Sequence, residues 1–245
     1  MAGAPERRPL QAEEGDAGRR TSLRVWRRLC VDVTLAYIAA WAVGIGFGLG
    51  LQGTRSWRQG AGWERATLRW AHAHALPQWL DRVMLAAPLA GTNAVVLPVM
   101  LLVATWLWRQ RHEPMIGLQL VVVSVGSFLL NPAMKYLFDR LRPALYPLRG
   151  MYFWASYPSG HAILTTALFF TIALLLHRAR GLRWPFVAAA ALVLIICYSR
   201  LYLAVHWPTD LIGGLLIGVV WLVGTLMAFQ RVTGTSPLVA RRLGR

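Results

Sequence analysis

Three short clusters of polar residues lie at the ends of long apolar stretches, and their residue types could bind and transfer a phosphoryl group. The first cluster contains Lys135 and Arg142, with Pro143 directly after the arginine. Lys135 is the only lysine among 26 basic residues. Taken alone, it could equally be an interfacial lysine whose ammonium group reaches the water beside a membrane.

The second cluster is Pro158-Ser159-Gly160-His161, directly before the fourth apolar stretch. Pro158 and Gly160 predict a turn that opens a helix, whose free N–H groups and positive dipole end would form an anion site. Ser159 adds a hydroxyl group and His161 a titratable imidazole. An ordinary N-cap would explain Ser159 but not His161.

The third cluster joins the last two apolar stretches and contains Ser199, Arg200, His206 and Asp210. Arg200 lies in apolar sequence and needs an anionic partner. His206 and Asp210 are four residues apart, and a carboxylate that accepts from one imidazole nitrogen makes the other nitrogen basic. The alternative is a polar pair that only caps a helix.

These clusters are predicted to meet on one face, and together they favour phosphoryl chemistry. Cations and N–H donors suit a group whose charge is spread over several oxygens. Two histidines with different neighbours can divide the roles of nucleophile and acid. A Ser-His-Asp hydrolase of Ser159, His206 and Asp210 is the rival enzyme class, but G-x-S-x-G is missing and the cations would have no role.

The spacings K-x6-R-P, P-S-G-H and S-R-x5-H-x3-D resemble the three signature motifs of the type-2 phosphatidic acid phosphatase family. They fall at Lys135–Pro143, Pro158–His161 and Ser199–Asp210, and the resemblance covers roughly residues 87–229. It implies a six-helix membrane core. It also implies hydrolysis of a phosphomonoester or pyrophosphate through a phosphohistidine, with no metal or other cofactor.

The same resemblance implies a role for each matching residue. His206 would be the nucleophile, Asp210 would orient it, and His161 would be the general acid. The phosphoryl oxygens would be held by Lys135, Arg142, Ser159, the N–H of Gly160, and Arg200. The N-terminal segment and the long first loop carry no signature of this family.

The composition indicates an integral membrane protein that presents these clusters at the ends of its helices. Of 245 residues, 56% are hydrophobic and only 15% are charged, yet the net charge is +16. A disordered basic chain or a nucleic-acid binder would lack this apolar mass. Both cysteines lie in apolar stretches, so neither a disulfide framework nor a zinc site is predicted.

Six apolar stretches are long enough to cross a membrane as helices, which predicts an all-α bundle. Residues 23–230 are the predicted membrane domain, between a disordered cytoplasmic tail at 1–22 and a basic cytoplasmic tail at 231–245. The predicted spans are roughly Cys30–Leu51, Ala87–Trp108, Met115–Leu137, His161–Leu176, Trp184–Leu203 and Leu211–Phe229.

Basic residues predict the orientation, because cytoplasmic loops carry an excess of them. With both termini inside, the cytoplasmic segments hold 16 and the opposite face 10. The three clusters would then be extracytoplasmic, in a bacterial inner (plasma) membrane. The Arg-rich residues 52–86 predict an amphipathic helix on the membrane surface, or alternatively a solvated loop. One face would carry Arg58, Arg65, Arg69 and His72, and the other Trp63 and Trp70.

G-x-x-x-G pairs in the first and last spans permit close approach of helices. They occur among Gly44, Gly46, Gly48 and Gly50, and at Gly214/Gly218. We interpret them as packing within the bundle, with a homodimer as the minority interpretation.

The partner predicted for this site is a lipid phosphate in the membrane, and no nucleic acid is expected. Undecaprenyl pyrophosphate is the first choice from the resemblance, followed by phosphatidylglycerophosphate and phosphatidic acid. A lipid-phosphate binder or flippase is the non-enzyme alternative, but it would not need a His206–Asp210 pair.

Overall fold

The computed structural model describes residues 8–54, 56–74, 76–146 and 155–234, and every regular element within them is helical. The described residues contain eight α-helices and one short 3-10 helix, Ala87–Gly91, joined by irregular segments. The α-helices are α1 (Arg8–Gln52), α2 (Gly62–Ala73), α3 (Gln78–Ala86), α4 (Asn93–Arg111), α5 (Pro114–Phe138), α6 (Gly160–Arg180), α7 (Trp184–Tyr202) and α8 (Pro208–Thr233).

Six of these helices are long and apolar enough to cross a membrane, which confirms the predicted six-span α-helical bundle. A helix rises 1.5 Å per residue, so even the 19-residue members approach the thickness of a hydrocarbon core. The six segments are Ser22–Gln52, Asn93–Arg111, Pro114–Phe138, Gly160–Arg180, Trp184–Tyr202 and Pro208–Thr233.

The structure differs most from the predicted boundaries at two places. The second span begins at Asn93 rather than Ala87, because Pro88 and Gly91 belong to the 3-10 helix before it. Helix α1 begins at Arg8, within the segment predicted as a disordered tail, where Ala, Glu and Arg all favour helix. Residues 1–7 and 235–245 lie outside the described residues, so the division into tails and membrane domain stays a prediction.

Helix α6 lies against α5, α7 and α8, and glycines of α8 allow its closest approach. A Cβ atom at Gly214 would lie 2.6 Å from the backbone oxygen of Ser159, and one at Gly218 would lie 2.8 Å from that of Ile163. Distances this short are not found for real Cβ atoms, so only glycine fits. The first turns of α6 and α8 are thereby brought together.

The glycines of α1 divide into two sets. A Cβ atom at Gly44 or Gly48 would collide with Met134 or Phe138 of α5, whereas Gly46 and Gly50 have no described atom within 4 Å of a built Cβ. The interpretation of the small residues as packing within the bundle is therefore confirmed for the Gly44/Gly48 and Gly214/Gly218 pairs.

The first loop forms two helices, α2 and α3. The face of α2 that packs against the bundle is neither the arginine face nor the tryptophan face predicted from the sequence. Glu64, Leu68 and Ala71 are buried on α2, which contacts α7 and α8. Trp63 and Trp70 are 52% and 57% exposed. A helix in this loop is confirmed, although Arg58 lies in the turn before it; its placement on a membrane surface stays a prediction.

Candidate active site

The three polar clusters meet at one end of the bundle because the helices that carry them alternate in direction. The C-terminal end of α5, the N-terminal end of α6 and the connection from α7 to α8 surround a pocket of about 230 Å³. Six of the eight predicted site residues line it, namely Lys135, Arg142, Gly160, His161, Arg200 and His206. The other lining residues are Gly91, Thr92, Asn93, Ala94 and Asn131.

The cations of the pocket are held by backbone carbonyl groups and by burial. Lys135, in the last turn of α5, donates to the carbonyls of Ala155 and, at 3.2 Å, Ser156. Arg142 donates to the carbonyl of Val205 at 2.6 Å. Arg200 is only 3% exposed. These contacts fix positive charges around a small volume, as a phosphoryl-binding site requires.

His206 lies in the connection between α7 and α8, and its neighbours favour the neutral imidazole. Burial, followed by the nearby charges of Lys135, Arg142 and Arg200, lowers the pKa of His206 well below its ordinary value. A neutral imidazole keeps a lone pair on nitrogen at neutral pH, which a nucleophile needs.

Asp210 is next to His206, as the sequence predicted, but the contact is longer than a good hydrogen bond. Oδ2 of Asp210 lies 3.5 Å from Nδ1 of His206 and accepts the N–H of Trp207 at 2.8 Å. Catalytic hydrogen bonds are often long before substrate binds. Asp210 does not line the pocket; it lies behind His206 and is fully buried.

His161 is the second residue of α6, and its Nε2 atom has no hydrogen-bond partner among the described residues. Gly91 lies against its ring, since a Cβ atom there would be 3.1 Å from Cδ2 of His161. The imidazole is thus packed in place with one nitrogen left for a bound molecule.

Ser159 occupies the N-cap position of α6, but its hydroxyl makes no capping hydrogen bond. The backbone N–H of Ser159 donates to the carbonyl of Asp210 at 3.0 Å, and Oγ is buried without a partner in the described part of the chain. Gly160 is needed for space, because a Cβ atom there would lie 2.6 Å from Cγ of Asn131. Ser159 is adjacent to the pocket rather than in its lining.

Sequence reasoning missed several residues that build this end of the bundle. Arg140 is 2% exposed and binds Asp210, and Glu64 reaches Arg140 from α2. Asn131 lies four residues before Lys135, one helical turn away, a spacing that could have marked it. Within the described ranges, no three His, Cys, Asp or Glu side chains are grouped as metal ligands.

Comparison with known proteins places the chain in a family. Residues 116–233 match the PAP2 superfamily. Escherichia coli (strain K12) YbjG, whose name assigns it provisionally as an undecaprenyl-diphosphatase, is 30% identical over 154 residues, 60% of this chain and 74% of that protein. A Sulfolobus acidocaldarius protein named undecaprenyl-diphosphatase is 28% identical over 166 residues, 65% of this chain and 73% of that protein.

A solved structure has the same fold. The crystal structure of a transmembrane PAP2-type phosphatidylglycerolphosphate phosphatase from Bacillus subtilis matches with a TM-score of 0.66 over 78% of this chain and 94% of that chain, at 22% identity. The family match, together with the 30% identity to YbjG over 74% of that protein, shows that the chain belongs to the PAP2 superfamily. Its relatives are named as phosphatases and diphosphatases, which are hydrolases, and the chain is an enzyme of this class.

Proposed function

We propose that the chain hydrolyses the phosphomonoester or pyrophosphate of a membrane lipid through a phosphohistidine on His206. The observation that carries the proposal is the pocket itself. Lys135, Arg142 and Arg200 line it together with both histidines and the first residue of α6. A binder or flippase could use the same cations, but the buried His206–Asp210 pair would then have no chemical role.

The reaction proceeds in two in-line displacements. The lone pair of His206 attacks phosphorus, an N–P bond forms, and the P–O bond to the leaving group breaks. His161 gives its proton to the departing oxygen. The three cations stabilise the equatorial oxygens, where negative charge is concentrated in the transition state.

The second displacement returns the enzyme to its starting state. His161, now neutral, takes a proton from water, the water oxygen bonds to phosphorus, and the N–P bond to His206 breaks. Inorganic phosphate leaves, and the proton stays on His161 for the next cycle.

Undecaprenyl pyrophosphate is the first candidate substrate, since two relatives carry names of that activity. Phosphatidylglycerophosphate follows, because the solved structure of the same fold is named for it, and phosphatidic acid is the third candidate. We place the enzyme in a bacterial inner (plasma) membrane, with both termini cytoplasmic and the pocket extracytoplasmic. A homodimer is the minority proposal, for which the unfilled surface at Gly46 and Gly50 is available.

Phosphate release from these three lipids in detergent tests the proposal, with and without a metal chelator. We expect turnover that survives the chelator, because Lys135, Arg142 and Arg200 supply positive charge at the pocket. Vanadate should inhibit, since it mimics a pentacoordinate phosphoryl group. Turnover that the chelator abolishes and Mg²⁺ restores would contradict the mechanism, and binding without phosphate release would favour the binder.

A further inference from the structure

Arg140 is a buried cation that lies behind the pocket rather than in it. Its guanidinium lies over the rings of Trp57 and Trp207, with 4.8 and 5.7 Å from Cζ to the ring centroids. Nε donates to the carbonyl of Trp57 at 3.0 Å, and Nη1 donates to Thr209 at 2.6 Å and to Asp210 at 2.7 Å. An arginine this buried needs anionic partners, and Asp210 is one of them.

The contacts of Asp210 show what Arg140 controls. Oδ1 of Asp210 accepts from Arg140, and Oδ2 accepts from the N–H of Trp207 and faces Nδ1 of His206. A carboxylate is planar, so holding one oxygen and the backbone beside it fixes the direction of the other. The position of the oxygen that faces His206 therefore depends on Arg140.

Glu64 completes the cluster from α2, far away in the sequence. Its Oε1 accepts from the hydroxyl and N–H of Thr209 at 2.5 and 3.3 Å, and its Oε2 lies 3.3 Å from Nη2 of Arg140. The same Oε2 accepts the N–H of Ala61 at 2.7 Å. Glu64 thereby provides an acceptor for a free N–H group in the first turn of α8, the turn that carries Asp210.

Charge balance gives Glu64 a role beyond packing. Arg140 and Asp210 alone would form a neutral pair and leave little negative charge for His206. With Glu64 the group carries one net negative charge, buried behind the imidazole. The imidazole becomes cationic when its nitrogen bonds to phosphorus, so a net negative group behind it stabilises that step.

We propose that Arg140 and Glu64 are positioning residues that orient and charge-balance Asp210 for the phosphorylation of His206. The inference rests on the proposed function and assigns a catalytic contribution to α2, which lies outside the region matched to the family. Neither side chain lines the pocket, so both act through Asp210.

A double-mutant cycle tests the inference, with Arg140→Met, Asp210→Asn and the combined variant. Misplacing a reacting group by about 1 Å can cost about 100-fold in rate. We expect Arg140→Met to lower kcat by about 100-fold with KM nearly unchanged, and to slow the formation of phosphohistidine in a rapid quench. The combined variant should be no slower than the slower single variant, because Arg140 acts through Asp210.

A matched control is available at the other end of α8. Arg231 pairs with Asp32 at 3.1 Å and is 56% exposed, so Arg231→Met makes the same substitution in an ion pair remote from the pocket. It should keep the wild-type kcat. Glu64→Gln keeps the shape of Glu64 and one acceptor oxygen, but it removes the charge and replaces the second acceptor by an NH₂ donor. It should lower kcat about tenfold without changing the unfolding temperature as much as Arg140→Met.

Several outcomes would overturn the inference. A folded Arg140→Met enzyme with wild-type kcat would do so. A combined variant whose loss of kcat equals the product of the two single losses would also do so. If Arg140→Met does not fold, Glu64→Gln combined with Asp210→Asn replaces it, and multiplying effects there count equally against the inference. A wild type that releases no phosphate from any lipid would instead remove the proposed function, and this inference with it.

Discussion

The two histidines of the pocket have different surroundings, and the difference predicts different chemical roles. His206 is buried among Lys135, Arg142 and Arg200, with Asp210 behind it. His161 stands at the start of α6 with an unpartnered Nε2 within the described structure. A neutral imidazole backed by a carboxylate suits nucleophilic attack, whereas a histidine beside the bound phosphate suits proton delivery.

We expect an activated aryl phosphate to rescue His161→Ala substantially and His206→Ala hardly at all. A good leaving group needs no proton, so loss of the general acid, normally worth about 10²–10⁴-fold, should largely disappear. Loss of the nucleophile affects every substrate equally. Rates on aryl phosphates of increasing leaving-group pKa, with acid-labile phosphoenzyme trapped by rapid quench, provide the measurement.

His177 provides the matched control for the histidine variants. It lies on the same helix as His161 but near the opposite end, where Nδ1 is 3.0 Å from the carbonyl oxygen of Leu182. His177→Ala should retain wild-type turnover and the same dependence on leaving group. A phosphohistidine that still forms in His206→Ala would reverse the two roles, and equal rescue of both variants would remove the support for either.

The pH dependence of turnover should show how the cations around His206 affect its pKa. Positive charge on Lys135 helps to hold the pKa of His206 below its ordinary value, so the nucleophile stays neutral in mild acid. In Lys135→Met that pKa should rise, and the acid limb of the kcat/KM profile should move to higher pH. Arg142, Arg200 and His161 still oppose protonation in this variant, so the shift should be partial.

The position of the acid limb, rather than the height of the profile, is the quantity to compare. Lys135→Met also removes a phosphate-binding charge, which lowers the rate at every pH. Arg109→Met removes an exposed cation at the far end of α4 and should leave the limb in place. An unshifted limb in Lys135→Met would mean that the charge of Lys135 does not help to keep His206 neutral.

The residues predicted from sequence are those whose chemistry is visible in a short segment. Lys135, Arg142 and Arg200 are cations at the ends of apolar stretches, and His206 and Asp210 are four residues apart. Arg140 and Glu64 escaped prediction because their importance is a long-range property. They are 76 residues apart, and only the approach of α2 to the start of α8 brings them together.

At the scale of helices, hydropathy alone predicted the six spans, because each helix buries only part of its surface within the bundle and leaves the rest apolar. It failed at Ala87–Gly91, where the sequence is apolar but Pro88 and Gly91 accompany a 3-10 helix. It also missed the buried face of α2, although the helix itself was predicted. That face is narrow and contains the charged Glu64 beside Leu68, so it does not stand out as an apolar stripe.

The contact between α6 and α8 should be more sensitive to added volume than any exposed glycine of α1. Gly214→Ala would place a methyl group 2.6 Å from the carbonyl of Ser159 and push apart the helices that carry His161 and Asp210. We expect a loss of about 1–3 kcal/mol in stability and a larger proportional loss of kcat. Thermal unfolding in detergent and phosphate release on the same preparation provide the measurements.

Gly46→Ala is the control for this substitution. It adds the same methyl group to a membrane-spanning helix, at a site where no described atom lies within 4 Å of the new Cβ. Replacing glycine by alanine in a helix is otherwise favourable, so stability should stay constant or rise slightly. Equal effects of the two substitutions would show that the α6–α8 contact is looser than its geometry indicates.

At the scale of the whole molecule, all three clusters and both helices of the first loop lie at one end of the bundle. The α4–α5 connection lies at the other end. The distribution of basic residues, 16 against 10, favours the second end as cytoplasmic. The excess is modest because the first loop and the pocket carry arginines of their own. The count thus includes arginines that serve the site as well as arginines that set the topology, and the orientation is predicted from the difference between the two ends.

Labelling of single cysteines by a membrane-impermeant reagent tests the orientation. Cys30 and Cys197 are first replaced by serine, and a cysteine is then introduced at Gln59 or at Glu113, both exposed in connections at opposite ends of the bundle. Gln59→Cys should react in intact cells, because the pocket end is predicted to face outward. Glu113→Cys should react only after the membrane is opened, and phosphate release should confirm that both variants are folded. The reverse pattern would place the pocket on the cytoplasmic side, and the excess of arginine at the other end would then have failed to set the topology.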